Sequence, residues 1–163
     1  MAKTTAAQRA ATTTKISELS GAFLRLLGKF ARAGVLSGTL AVAPVPASRP
    51  RVSRWGTYYS KTYQRWKTTA ETLAQDIKAA KVTGPVCLVV EQVCALPKTS
   101  GRDYPQGDFD NHAKGPADAL TKAQQVWADD DQVVACLVTK RFAKPDEEPC
   151  TNLWWCELET RTA

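Results

Sequence analysis

The chain has 163 residues, 44% of them apolar, with 22 Lys and Arg against 16 Asp and Glu. That length suits one domain with an appendage, whose core needs no disulfide staple; five cysteines without a CxxC pair, beside a single histidine, speak against structural zinc and read as reduced thiols. No apolar run reaches the roughly 18 residues of a membrane span and no secretory signal is expected, while the net charge of +6 points to a polyanionic partner.

Residues 1–15 are Ala, Thr and Lys/Arg with almost no large apolar side chain, and read as disordered. Ile16, Leu19, Phe23, Leu26, Leu27 and Phe30 then recur at the period of one helix face, and Gly34 and Gly38 are expected to end that helix. Residues 1–38 thus form a basic extension, either a flexible arm with one docking helix or an organellar transit peptide. Thr39 to Val45 reads as a strand broken by Pro44, Pro46 and Pro50, and Ser48 to Trp55 as a basic loop.

Tyr59, Tyr63, Trp66, Ala70, Leu73, Ile77 and Ala80 alternate steps of four and three, which predicts a long amphipathic helix. The period matches burial, so the aromatic stripe reads as core packing, with Lys61, Arg65 and Lys78 off it. After Gly84-Pro85, the apolar run Val86 to Val93 predicts a strand covered on both faces. Pro97 to Gly107 is loop. Asn111 to Gln125 reads as a second helix, with Gly115 and Pro116 expected to delay its start or kink it. Gln132 to Phe142 and Asn152 to Glu159 read as strands joined by an acidic loop. The fold class is α+β (α/β): a small mixed sheet with two main helices over residues 39–163, preceded by the extension.

Charge is unevenly distributed. Residues 1–40 carry six basic residues against Glu18, and residues 49–81 carry eight against Glu71 and Asp76. Residues 103–131 reverse the sign, with seven aspartates against Lys114 and Lys122. Asp108 and Asp110 would share a face of an extended segment, and Asp129 to Asp131 open the next strand. Carboxylates so gathered repel by about 4 kcal/mol per pair at 4 Å and an effective dielectric of 20. A hard divalent cation removes that cost and suits phosphodiester hydrolysis. Other readings stand beside this one: Asp110 as a helix N-cap, Asp129 to Asp131 as a solvated turn, Asp118 as the ion-pair partner of Lys114 or Lys122, and His112 as a helix-surface residue.

The pattern Asp108-x-Asp110-Asn111-x-x-Lys114-x-x-x-Asp118-Ala119-Leu120, then Trp127-x-Asp129-Asp130-x-Gln132-Val133, resembles the signature of the RusA-type Holliday junction resolvases, found in phages, prophages and bacteria. The resemblance covers about residues 39 to 160. It implies a Mg²⁺-dependent endonuclease, with Mn²⁺ as a possible substitute, in which Asp108, Asp110 and Asp130 are the catalytic metal-binding aspartates and Lys114 is the essential lysine. It also implies a homodimer acting on four-way DNA. Arg49, Arg51, Arg54 and Lys61 are the expected backbone contacts, each adding about 0.9 to the slope of log affinity against log salt. The rivals are a non-catalytic branched-DNA binder and a general metal nuclease. No membrane or small-molecule cofactor is expected, and the setting is the cytoplasm unless the extension directs import into an organelle.

Overall fold

A computed structural model of the chain describes residues 4–54, 56–99 and 101–159. The elements run α1 (Ala6–Leu27), β1 (Leu36–Leu40), β2 (Arg51–Ser53), β3 (Gly56–Tyr58), α2 (Lys61–Gln75), β4 (Val86–Cys94), α3 (Phe109–Ala123), a 3-10 turn (Asp130–Gln132), β5 (Val133–Phe142) and β6 (Cys150–Glu157). The apolar run becomes β4, inside a sheet ordered β1-β6-β4-β5; β4 is parallel to β5 and antiparallel to β6. This is a mixed sheet with helices, the expected α+β class. Both faces of β4 are covered, which explains why its sequence runs apolar rather than alternating.

Val86, Leu88 and Val90 point to one face, where they pack with Tyr63, Trp66 and Ala70 of α2 and Ala119 and Leu120 of α3. Cys87 and Val89 point to the other and meet Leu27, Phe23 and Leu24 of α1. The helical stripe of α2 is therefore core, capped at its start by Ser60, whose Oγ accepts from the Tyr63 amide at 3.3 Å. It ends at Gln75, five residues before the stripe does, and Ile77 is buried from the turn that follows.

Several elements depart from the sequence reading. The segment read as disordered before Ile16 contributes ten residues of α1, which starts with a reciprocal capping box between Thr5 and Gln8. Its fully buried positions are Thr13, Ser20 and Leu27, whereas Leu19, Leu26 and Phe30 stay exposed. Two of these three buried positions are small polar residues, so apolar periodicity detects the docking face late. The helix ends at Gly28 rather than at Gly34 or Gly38. The first strand lies at Leu36–Leu40, ahead of the expected Thr39 to Val45, and the basic loop contains a short hairpin, β2 with β3, in which Ser53 pairs with Gly56.

Gly115 and Pro116 do not delay α3: the helix starts two residues early and runs through both. Pro116 has no N–H for the His112 carbonyl, and Gln92 Nε2 supplies the missing donor at 2.7 Å. The Ala47 amide likewise donates to the Asn111 carbonyl at 2.8 Å. Gly115 is where α2 and α3 touch: a Cβ there would lie 2.7 and 2.8 Å from Trp66 ring carbons. Trp66 is buried and stacked on Tyr63 at 5.7 Å, so it cannot retreat. Gly115→Ala is expected to cost about 1–3 kcal/mol of stability by overpacking, seen as a lower midpoint in thermal or urea denaturation.

Candidate active site

The expected site residues fall on two adjoining stretches, the first half of α3 and the 3-10 turn before β5. Asp108 is the N-cap of α3, yet its carboxylate makes no capping bond; among the described residues it accepts from Asn111 Nδ2 at 3.5 Å. The N-cap reading thus moves from Asp110 to Asp108, whose oxygens stay uncommitted by the helix. Asp110 lies in the first turn, exposed, where the helix dipole favours a negative charge. Lys114 is one turn further along the same face, and Asp118 one more.

Lys114 Nζ donates to Asp118 Oδ1 at 3.1 Å. That bond, with the charge of Asp118 and then of Asp130, raises the Lys114 pKa. Partial desolvation first, then its contact with Asp129 and the nearby charge of Asp118, raise that of Asp130, while Lys114 opposes the rise. Lys114, Asp118, Asp129 and Asp130 therefore share one electrostatic field, although α3 and the turn are separated by residues 124–129. Tyr63 belongs to the same neighbourhood: burial and then Asp118 push its hydroxyl up to about 12.

The turn is held by local bonds. Asp129 Oδ1 accepts from the Asp131 amide at 3.2 Å, and Gln132 Oε1 accepts from the Ala128 amide at 2.9 Å. Gln132 Nε2 reaches the carbonyl of Gly84 at 3.1 Å, tying the turn to the start of β4. Asp129 is thus a cap, and Asp130 is left facing an open cleft of about 360 Å³ that it shares with Asp118, Asp129, Glu71, Lys67 and Lys122. A larger apolar groove of about 670 Å³, beside Phe23, Leu26 and Phe30, carries none of these groups.

Asp118 is the ion-pair partner of Lys114, as its spacing implies. His112 is not at the surface: it is 2% exposed, with Nε2 3.1 Å from the Gln106 carbonyl, and burial lowers its pKa. It is buried because the segment before Asp108 folds back over the helix; nothing local in the sequence marks that. Among the described residues no three acidic, histidine or cysteine side chains are gathered at metal-ligand spacing. The donor set on offer is nonetheless all carboxylate, the chemistry of a hard cation, and the uncapped Asp108 fits it.

Of the expected DNA contacts, Arg51 lies in β2, Arg54 in the turn after it and Lys61 in the first turn of α2; all three and Arg49 are exposed. Lys67 and Glu71, further along the helix that Lys61 opens, line the acidic cleft, so α2 runs from the basic stretch to it.

No individual curated protein matches the chain. Residues 41–148, about two thirds of it, match the family model of endodeoxyribonuclease RusA, and this span contains the hairpin, α2, the whole of α3 and the Asp129–Gln132 turn. The chain belongs to the RusA family of Holliday junction resolvases, which are endodeoxyribonucleases.

Proposed function

We propose that the chain is a divalent-cation-dependent, structure-selective endonuclease that resolves Holliday junctions by paired phosphodiester hydrolysis, as a homodimer, in DNA recombination and repair. The observation that carries this reading is that, within the family-matched span, Asp118 of α3 pairs with Lys114 at 3.1 Å and shares an open cleft with Asp130 of the turn before β5.

Asp108, Asp110 and Asp130 would hold Mg²⁺, or Mn²⁺ in its place, and the bound ion would polarise the scissile phosphate and promote ionisation of the attacking water. Asp108 is presented by the start of α3 without being consumed as a cap. Asp118 keeps Lys114 protonated and directed along the helix face. The ammonium would then meet a non-bridging phosphate oxygen and offset charge that grows in the transition state. Arg49, Arg51, Arg54 and Lys61 would carry the neighbouring phosphates, giving a salt-dependent affinity without sequence readout.

The test is incubation of a labelled four-way junction and the matching linear duplex with Mg²⁺ and, separately, with chelator. Paired symmetric nicks in the junction with Mg²⁺, none with chelator and an intact duplex are expected. Junction binding without nicks in every metal condition would replace the enzyme with a binding protein of the same fold. Equal cutting of the duplex would replace junction selectivity with general nuclease activity.

A further inference from the structure

α1 lies outside the residues matched to the family, and its first turns grip the segment that runs into Asp108. The Thr4 amide donates to the Gly101 carbonyl at 3.3 Å, Arg9 Nη1 to the Arg102 carbonyl at 3.3 Å, and Thr12 Oγ1 to Asp103 Oδ2 at 3.1 Å. The other end of the segment is held from beneath. His112 Nε2 is 3.1 Å from the Gln106 carbonyl, and Lys140 of β5 donates to the Gly107 carbonyl. Gly107 has φ +98°, and a Cβ on it would lie 2.8 Å from His112 Nε2 and 2.9 Å from Pro46 Cγ. Between its anchors the segment borders a cleft of about 470 Å³ lined by Pro44, Pro46, Tyr104 and His112 among others.

Residues 101–107 have no helix or strand bonds of their own, so contacts with other elements set their path. α1 is itself fixed to the sheet, by Leu27 in the core and by the buried pair Ser20 Oγ and Thr139 Oγ1 at 3.0 Å. Thr139 adjoins Lys140, so α1 and the inner anchor share the same strand. Each residue released from such a segment regains conformational entropy.

We propose that α1 is a brace for the active site: by holding Gly101 to Asp103 it positions the turn that presents Asp108, with Thr12 and Asp103 as positioning residues. This rests on the reading of Asp108 as a catalytic carboxylate. The basic extension is then a working part of the endonuclease rather than a separable arm. A displacement of about 1 Å at reacting groups can cost on the order of 100-fold in rate, so a partly loosened turn should be visible in turnover before it is visible in stability.

The test uses the full chain with Thr12→Val, which keeps the volume and removes the hydroxyl donor, Asp103→Ala, which removes the acceptor, and Thr12→Ser as the conservative control. Hydrogen exchange across residues 101–107, thermal midpoint, and kcat and KM on a four-way junction are measured for each. Thr12→Val and Asp103→Ala should exchange faster in that segment and lose about tenfold in kcat, with KM within about twofold and an unchanged midpoint, whereas Thr12→Ser should match the wild type. Unchanged exchange in the segment, or faster exchange with wild-type kcat, would overturn the brace. If the wild type itself leaves junctions uncut, the proposed activity fails, and the exchange measurement alone then decides whether α1 holds the segment.

Discussion

Asp110→Asn is expected to lower junction cleavage by about 10³-fold or more while junction binding and thermal midpoint stay near wild type. The loss follows from removing a cation-holding oxygen, since the metal contributes several kcal/mol of transition-state stabilisation and each 1.36 kcal/mol is tenfold in rate. The retained stability follows from the structure: Asp110 is exposed, and its place in the first turn of α3 gives it an interaction with the positive helix end worth a few tenths of a kcal/mol. Asp130→Asn should abolish cleavage in the same way. It removes a carboxylate that partial desolvation, Asp129 and Asp118 make harder to ionise, so its midpoint should not fall. Asp131→Asn is the control, because the Asp131 backbone amide, not its side chain, serves the turn. A gel assay of cleavage beside a mobility-shift assay in chelator separates catalysis from binding. Cleavage by Asp110→Asn at the wild-type rate would remove that residue from the site.

What could be read in the sequence divides along physical lines. α2 was legible because seven side chains repeat the helical period, and β4 because a strand buried on both faces must be apolar. Asp110, Lys114 and Asp118 follow one another along one face of α3, as their spacing of four implies, whereas Asp130 sits on a separate turn and spacing alone did not give its position beside Asp118. What escaped was set by contacts distant in sequence. The docking face of α1 uses Thr13 and Ser20, which have no apolar signal, and the β2–β3 hairpin has only three residues in each strand. Pro116 reads as a cause of a delayed or kinked helix because nothing near it in sequence shows that Gln92, 24 positions upstream, fills the carbonyl it leaves open. His112 is buried only because Gly107 lets the incoming segment cross it. Gln92 and Lys140 sit in strand stretches where a polar residue reads simply as a break in the apolar pattern.

Arg141 and Glu91 are a second such break, and they carry the largest expected effect on stability. Their side chains are 5% and 7% exposed, with Arg141 Nη2 3.2 Å from Glu91 Oε2 across the parallel strands β4 and β5. Arg141 also forks onto Glu147 at 2.6 and 2.7 Å, and Asn152 of β6 donates to Glu91 at 3.2 Å. Arg141→Leu leaves a buried carboxylate with an amide as its remaining partner, and is expected to cost about 3–5 kcal/mol. Arg141→Leu with Glu91→Leu should recover part of that loss, because the deeply buried Glu91 carboxylate goes with its partner while Glu147, 28% exposed, is left to water. Denaturant midpoints of the two single variants and the double variant close the cycle; a double variant as unstable as Arg141→Leu would show that packing, not charge, makes the site. Glu147 adds a pH signature. The Arg141 hydrogen bonds lower its pKa to about 2 from the ordinary 4.5, so its contribution is complete above pH 4.5 and is lost as pH falls toward 2. Glu147→Gln should therefore be less stable than wild type at pH 7 and converge with it on acidification over that window. Because Lys140 is the neighbour of Arg141 on β5 and anchors the turn before Asp108, loosening this network should also slow cleavage in variants that remain folded.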